Sequence, residues 1–290
     1  MSITASLVKE LREITGVGMM ECKKVLVETN GDLQAAQDLL RTRGQAKAEK
    51  KAGRIAAEGV LVFAISDSAA TLVEVNSETD FAARDAGFSA YAQKAADLVV
   101  ANKPVDVDAL AELDVDGKSF AEVRSELVSK IGENVNVRRF ELMAPQGVVG
   151  SYIHGDRIGV IVDVVGGDEE LARDIAMHVA ASAPVCVSED DVPAADLERE
   201  RKILTEQALN EGKPAEIVEK MIAGRLRKHL AQITLVGQAF VKDPDITVGK
   251  LLKDKGASVV SFVRFEVGEG IEKKEENFAE EVAAQVQASS

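Results

Sequence analysis

The chain has 290 residues, of which 46% are apolar and 29% charged, a balance that excludes disordered and collagen-like proteins and suffices for two or more folded domains. Its 35 lysines and arginines stand against 49 aspartates and glutamates, and the resulting net charge of −14 disfavours nucleic acid as a direct partner. No apolar run reaches the roughly 18 residues of a membrane helix, and the first residues lack a signal-peptide pattern, so we expect a cytoplasmic protein without membrane contact.

The first forty residues predict three short helices, because apolar residues recur at helical spacing in three separate runs. Gly16 and Gly18 separate the first run from the second, and Asn30-Gly31-Asp32 supplies a turn and then a helix N-cap. So small a bundle buries little apolar surface, which indicates a docking module. The next stretch, 41–54, carries six basic residues against Glu49, and we interpret it as a linker.

From residue 60 onward the pattern changes to β-structure. Residues 60–65 and 71–76 are rich in β-formers and are separated by a short polar segment, which predicts a hairpin. Further on, Ser119 and Glu122 stand at capping-box spacing ahead of a helix that we expect Gly132 to end. This part of the chain therefore mixes strands and helices.

The same order of elements then recurs. Aligning Val73-Glu74-Val75 with Val162-Asp163-Val164 gives an offset of 89 positions (73 to 162). Aligning Arg139-Phe140-Glu141 with Arg264-Phe265-Glu266 gives an offset of 125 (139 to 264). The sequence thus predicts two related α+β subdomains, with about 36 residues inserted into the second one.

The insertion falls where the pattern becomes wholly helical. Two helical runs flank a turn at 210–214, which predicts an αα-hairpin that projects from the sheets. At the end of the chain Phe278, Val282 and Val286 stand four apart in a glutamate-rich stretch, and we expect a terminal amphipathic helix there.

The chemistry-bearing motifs argue against catalysis. Gly117-Lys118-Ser119 resembles the end of a phosphate-binding loop, but Glu112 occupies a position where that motif needs glycine. The sequence has no dinucleotide fingerprint, no paired metal-binding histidines and no nucleophile elbow. Its two distant cysteines suit a reducing compartment and indicate neither a disulfide nor a zinc site. We therefore predict a binding protein, not an enzyme, with no catalytic residues, metal or cofactor.

Six separated blocks of sequence resemble the bacterial elongation factor Ts family and occur in that family's order. The first is the segment 74–88, which reads EVNSETDFAARDAGF and contains the turn Thr79-Asp80-Phe81-Ala82. The other five are Met19-Met20-Glu21-Cys22-Lys23-Lys24, Lys130-Ile131-Gly132-Glu133-Asn134, Gly150-Ser151-Tyr152-Ile153-His154-Gly155, His178-Val179-Ala180-Ala181-Ser182 and Val263-Arg264-Phe265-Glu266-Val267-Gly268-Glu269-Gly270. The resemblance therefore spans nearly the whole chain.

The resemblance implies an α+β fold with six consecutive parts. These are a three-helix module of ubiquitin-associated (UBA-like) type with the basic linker (1–53), core subdomain N (54–143), the first part of core subdomain C (144–184), a helical-hairpin or coiled-coil insertion used in dimerisation (185–230), the second part of core subdomain C (231–270) and a C-terminal helical module (271–290).

The resemblance also implies a function. Members of the family promote exchange of GDP for GTP on elongation factor Tu, the GTPase that delivers aminoacyl-tRNA, and their Thr-Asp-Phe turn enters that GTPase near its magnesium site. On this chain the resemblance assigns magnesium displacement to Thr79, Asp80, Phe81 and Ala82, where alanine replaces the valine expected at the last position. Further partner contacts implied by the resemblance are Met19, Met20, Lys23, Ile131, Gly132 and His154.

Plainer structural interpretations stay open for several of these residues. Thr79 and Asp80 are ordinary N-cap types and Phe81 could anchor the core. Met19 and Met20 could be core residues or an adaptable contact surface.

Other residues call for a structural interpretation first. His154 could be a solvated turn residue, Cys22 is expected to be buried and inert, and His178 is expected to be structural. Ile131 and Gly132 could simply end a helix.

Two other functions also stay open at this point. One is an adaptor whose UBA-like module binds a ubiquitin-like or peptide partner, and the other is a hydrolase that uses Asp80 or His154. The helical hairpin could pair two copies of the chain, pack on the GTPase or merely extend from the fold.

Overall fold

The computed structural model describes residues 3–210 and 215–272, except for the side chains of 215–218. Its first three helices are α1 (Ala5–Thr15), α2 (Met19–Glu28) and α3 (Leu33–Lys51). Gly16 ends α1 in the left-handed conformation with φ 67°, and the Asp32 carboxylate caps α3 by accepting from the backbone N–H of Ala35 at 3.0 Å. The three predicted helices are therefore confirmed, and they enclose a small core of Val8, Leu11, Val17, Cys22, Val25, Leu26, Ala36 and Leu40.

A three-stranded antiparallel sheet forms the first α+β unit. Its elements are β1 (Glu58–Ser66), β2 (Ala69–Ser77), α4 (Asp80–Ala83), α5 (Ala86–Asn102), α6 (Val107–Ala111), β3 (Asp114–Val115), β4 (Lys118–Ser119), α7 (Phe120–Ile131) and β5 (Val135–Met143). The sheet order is β1-β2-β5, so β2 lies in the centre. The predicted hairpin is β1 and β2, and the predicted capping box of Ser119 and Glu122 and the Gly132 stop bound α7.

The second α+β unit repeats this arrangement. Its elements are β6 (Val148–His154), β7 (Ile158–Val165), α8 (Glu169–Ser182), α9 (Ala194–Asn210), α10 (Ala215–Ile233), β8 (Ala239–Phe240), β9 (Asp243–Thr247), α11 (Val248–Asp254) and β10 (Ser258–Glu266). The sheet order is β10-β7-β6, so the second strand is again central and flanked by the first and the last. A short hairpin precedes the last helix in both units, which confirms two related α+β subdomains.

The helices α9 and α10 lie between α8 and β8, where the change of offset predicts an insertion. They pack on each other through a small cluster of Leu204, Ala208, Ile222 and Leu226. Most of the predicted turn at 210–214 and the predicted terminal helix with Phe278, Val282 and Val286 lie outside the described residues.

The basic stretch 41–54 is not the linker that we predicted, because α3 continues as a helix to Lys51. Its continuation packs along α7, and Gly44 permits the close approach, since a Cβ there would lie 2.9 Å from Ser129 Oγ. Ala48 is buried in the core of the first subdomain. Two basic residues of α3 pair with acids of α2, Arg43 with Glu28 and Lys47 with Glu21.

The two sheets pack face to face through the apolar residues Leu61, Ala70, Leu72, Met143, Ile161 and Val267. Alternation along β2 places Glu74 on this same inner face, where it is fully buried. Its carboxylate accepts hydrogen bonds from Arg138 Nη1 at 3.0 Å, Arg139 Nε at 2.6 Å, Asn76 Nδ2 at 3.1 Å and the Gly268 N–H at 2.8 Å. Glu74 therefore ties the first sheet to the segment that follows β10.

The pKa of Glu74 reflects this environment. Burial opposes ionisation, but the hydrogen bonds from the Gly268 N–H, Asn76 and the two arginines outweigh it, so the pKa of the carboxyl lies below its ordinary value. The equivalent position in the second subdomain is Asp163, which is also buried and accepts from the Gln146 and Gly147 N–H groups at 2.7 and 2.9 Å.

Candidate partner-binding site

The turn Thr79-Asp80-Phe81-Ala82, which we call the aromatic turn, begins two residues after the central strand β2 and leads into the short helix α4. Thr79 is its N-cap, and the threonine Oγ1 accepts from the Ala82 N–H at 3.3 Å. Ala82 and Ala83 are buried and fix the inner side of α4, while Asp80 pairs with Arg84 at 3.1 Å on the outside. The expectation that Thr79 is an N-cap residue is confirmed.

Phe81 projects from this turn into solvent, with 78% of its surface exposed. The alternative that Phe81 anchors the core is therefore wrong. An exposed phenylalanine held on a short, capped helix offers a partner about 1.5–3 kcal/mol of apolar burial. Most of the apolar surface of the ring is therefore in solvent and available for burial by a partner.

A groove lies beside Phe81, and both subdomains line it. Thr79, Asp80 and Phe81 line it together with the start of β1. The Gly155-Asp156-Arg157 turn of the second subdomain also lines it, and there Arg157 Nη1 donates to Glu58 Oε2 at 2.7 Å. Both subdomains therefore contribute to one surface around the ring.

His154 ends β6 immediately before that turn and is exposed, as expected of a solvated turn residue. Its Nδ1 lies 3.2 Å from the hydroxyl of Tyr152. The hydrolase alternative gains no support here, because Asp80 pairs with a cation and His154 with a phenol, and neither contact is a nucleophile–base pair.

Ile131 and Gly132 lie at the C-terminal end of α7. Ile131 packs partly into the core, and Gly132 adopts a φ of 87° and accepts a hydrogen bond from Lys51 through its carbonyl. The helix-stop interpretation is confirmed for both. The next residue, Glu133, contacts the aromatic turn: its carboxylate accepts from the N–H of Thr79 at 2.9 Å and from the Thr79 hydroxyl at 2.7 Å.

We did not single out Glu133 from the sequence, although a signal for it exists. An acidic residue just after a helix is disfavoured by the partial negative charge of the helix C-terminus. Its presence after Gly132 therefore indicates a specific hydrogen-bond donor nearby, which the structure identifies as Thr79.

Met19, Met20 and Lys23 form a second exposed surface on α2. Met20 is 78% exposed and Met19 53%, so the core interpretation is wrong for both. Met20 and Lys23 line a shallow depression together with Val27, which is also exposed. Cys22, on the opposite side of α2, is fully buried and donates to the Val17 carbonyl at 3.4 Å, as expected.

His178 is buried and structural, as predicted. Its Nδ1 accepts from the Val241 N–H at 3.1 Å, which leaves Nε2 to donate to Gln238 Oε1 at 2.9 Å. Burial lowers the pKa of this imidazole, and the Gln238 contact offsets the shift only in part. Both nitrogens are therefore used in holding the chain beyond α10 against α8.

The described part of the chain contains neither a candidate metal site nor a candidate membrane helix. Within 3–210 and 215–272, no three His, Cys, Asp or Glu side chains are grouped closely enough to hold a metal ion. In that same part of the chain, none of the helices combines the length and apolarity that a membrane crossing requires.

Comparison with known proteins gives consistent matches. A family model described as elongation factor TS matches residues 78–269. The chain is similar to elongation factor Ts of Thioalkalivibrio sulfidiphilus, with 61% identity over all of both chains, and to that of Alkalilimnicola ehrlichii, with 59% identity over all of both. Elongation factor Ts of Legionella pneumophila strain Paris is 55% identical over 98% of this chain and 99% of its own.

Proposed function

The chain belongs to the elongation factor Ts family of translation factors, and we propose that it binds elongation factor Tu with GDP and promotes exchange of that GDP for GTP. The activity makes and breaks no covalent bond, so the protein acts as an exchange factor and not as an enzyme. The observation that carries the proposal is the exposed ring of Phe81 on its capped turn.

The proposed mechanism uses the way in which a GTPase holds its nucleotide. Such a protein grips the phosphates directly and through a bound magnesium ion. Phe81 enters the partner next to that ion and displaces a segment that supports the ion's ligands. The carboxylate of Asp80 accompanies the ring and adds repulsion toward phosphate. Loss of the ion then weakens the grip on GDP.

Burial of the Phe81 ring alone supplies too little free energy for a large acceleration of exchange. Each factor of ten in nucleotide affinity corresponds to about 1.4 kcal/mol of coupling. Burial of Phe81 supplies about 1.5–3 kcal/mol, which is at most roughly two factors of ten. Additional surfaces must therefore contribute binding energy that is realised when GDP leaves.

We assign that contribution to the residues that the family resemblance names. On α2 these are Met19, Met20 and Lys23, and elsewhere they are Ile131, Gly132 and His154. The three residues on α2 are exposed. Ile131 and Gly132 directly precede Glu133, which hydrogen-bonds Thr79, and His154 directly precedes the groove residue Gly155. These positions support the assignment.

The proposal also assigns a role to each part of the chain. We propose that the module 1–53 and the two subdomains, 54–143 and 144–184 with 231–270, bind the GTPase together with the C-terminal part 271–290. The hairpin 185–230 is proposed to pair two copies of the chain in the cytoplasm.

Release of a fluorescent GDP analogue from elongation factor Tu, followed by stopped flow, tests the proposal. The full chain is expected to accelerate release, and Phe81→Ala is expected to lose at least about tenfold of that acceleration, in line with the loss of a buried phenylalanine. Val105→Ala is the matched control, because Val105 is 90% exposed and lies outside the groove. Unchanged release with the wild-type chain would refute the exchange function, and full activity of Phe81→Ala would refute the role of the ring.

The adaptor alternative predicts a different result. A protein that acts only through the UBA-like module gives the turn at Phe81 no role, so the loss expected for Phe81→Ala also separates the two functions.

A further inference from the structure

Backbone pairing between β2 and β5 ends at Ser77 and Val135, yet the two segments remain linked beyond that point. Glu133 accepts two hydrogen bonds from Thr79, and in the opposite direction Glu78 Oε1 accepts from the Asn134 N–H at 2.6 Å. Each segment therefore satisfies a backbone donor of the other with a carboxylate. This crossed contact is the last support of the chain before it enters the aromatic turn.

The contact with Glu133 also sets the direction of the Thr79 hydroxyl. Because the hydroxyl hydrogen points to Glu133 Oε1 at 2.7 Å, an oxygen lone pair is free to accept from the Ala82 N–H at 3.3 Å. One carboxylate thus fixes the cap on which α4 begins.

The helix needs such support because it is only four residues long. A single turn gains too few hydrogen bonds to offset the entropy lost in forming it. Phe81 adds little packing of its own, since most of its ring faces solvent. The orientation of the ring therefore depends on the anchors of α4: the buried Ala82 and Ala83, the contact of Ser77 Oγ with the Thr79 carbonyl at 2.9 Å, and Glu133.

We propose that Glu133 is a positioning residue for nucleotide exchange, which holds the aromatic turn in its presenting conformation before the GTPase arrives. The inference rests on the proposed exchange function. An ordered turn loses its conformational freedom when the chain folds and not when it binds, so more of the ring's burial energy remains for displacing the nucleotide. Glu133 acts through Thr79 and needs no contact with the partner.

A carboxylate suits this role better than an amide of the same shape. Both contacts from Thr79 are donors, and a carboxylate offers an acceptor oxygen to each. In Glu133→Gln one acceptor oxygen remains for the Thr79 N–H. The amide nitrogen then faces the Thr79 hydroxyl, so the hydroxyl can no longer donate in that direction. The two substitutions Glu133→Gln and Glu133→Ala therefore form a graded pair.

The first test measures order in the free full-length chain. Backbone 15N relaxation is expected to show order parameters for 79–83 near about 0.85 in the wild type and below about 0.6 in Glu133→Ala. Glu122→Ala is the matched control, because Glu122 also accepts from a backbone N–H of an N-cap residue, that of Ser119 at 3.0 Å, but at the opposite end of α7. Unchanged order parameters at 79–83 in Glu133→Ala would overturn the inference, whatever the partner does.

The second test is a double-mutant cycle on GDP release from elongation factor Tu. Glu133→Ala is expected to lose about tenfold of the acceleration when Phe81 is present and none when Phe81→Ala is already in place. Glu133→Gln is expected to lose about threefold, since it retains one acceptor. Equal losses in both backgrounds would show that Glu133 acts independently of the ring, which overturns the inference.

The cycle also separates the inference from the function on which it rests. A loss on Phe81→Ala with none on Glu133→Ala refutes the positioning role alone. If Phe81→Ala itself loses nothing, the proposed exchange mechanism is refuted and the positioning role in exchange with it, even where the relaxation data show a loosened turn.

Discussion

Replacing Glu74 by glutamine is expected to destabilise the chain by about 3 kcal/mol. Breaking a buried ion pair by removing one partner costs roughly 3–5 kcal/mol. The lower end applies here, because the partners Arg138 and Arg139 are 25% and 31% exposed and can regain water. Glutamine also leaves a single acceptor oxygen for the arginines and the Gly268 N–H, and its amide hydrogens face a guanidinium.

Urea unfolding followed by circular dichroism measures this effect. With a slope of roughly 3 kcal/mol per molar urea, the midpoint is expected to fall by about 1 M. Glu141→Gln is the control, since Glu141 lies exposed on the neighbouring strand β5 and its change is expected to stay within about 0.5 kcal/mol. A Glu74→Gln midpoint equal to that of the control would refute the assignment of Glu74 as the link between the two subdomains.

The same residue gives a pH dependence. The folded-state pKa of Glu74 is below its ordinary value of 4.5, so its stabilising contribution is complete above pH 4.5 and is lost as the pH falls through the lower, folded-state pKa. The difference in unfolding free energy between wild type and Glu74→Gln is therefore expected to shrink on acidification below 4.5. A difference that grows in acid would show that the sign of the shift is wrong.

Two further predictions concern other parts of the fold. Burial lowers the pKa of His178, so the contribution of this residue to stability should be complete above the ordinary value of 6.5 and decline as the pH falls below it. The unfolding free energy of the wild type should therefore drop more than that of His178→Phe between about pH 7.5 and 5.5. Parallel curves for the two proteins would contradict this. Gly44→Val should cost about 1–3 kcal/mol, because the new side chain meets Ser129 and separates α3 from α7, whereas Gly53→Ala, with open space around it, should be nearly neutral in thermal unfolding. Equal melting temperatures for the two glycine variants would argue against close packing of these helices.

Much of the fold can be read from local signals. The caps at Asp32 and Ser119 and the stops at Gly16 and Gly132 depend on a few neighbouring residues, and the structure has them where the sequence predicts them. The repeat is visible because two offsets, 89 and 125, relate blocks that remain similar. Such signals need no knowledge of distant contacts.

The remaining features depend on contacts between distant segments. The stretch 41–54 is alanine-rich and basic in a way that fits a linker, and only its packing on α7 makes it the end of α3. Glu74 alternates with Val73 and Val75, which in a strand normally indicates a solvent-facing residue. Here β2 is buried on both faces, because helices cover one and the second sheet covers the other.

The candidate site likewise combines features that local sequence signals with features that depend on contacts between distant residues. The residue types of the Thr79-Asp80-Phe81-Ala82 turn, considered alone, fit a core anchor as well as an exposed ring. The family resemblance points to the turn. An acidic residue just after Gly132 signals that a hydrogen-bond donor lies nearby, but no local pattern identifies that donor as Thr79, 54 residues earlier.

The two related subdomains differ at the aromatic turn. With the offset of 89, Thr79 corresponds to Asp168 and Ala82 to Leu171, and each cap accepts from the N–H three residues later. In the second copy the chain continues from this cap into the uninterrupted α8, whereas in the first it stops after Ala83 and begins again at Ala86. The ring at position 81 thus lies on a one-turn interruption of an otherwise ordinary helix start. Because the second subdomain lacks this break, the scaffold itself does not require it. The proposed binding element is therefore a short segment that can be replaced or transplanted while the architecture beneath it stays the same.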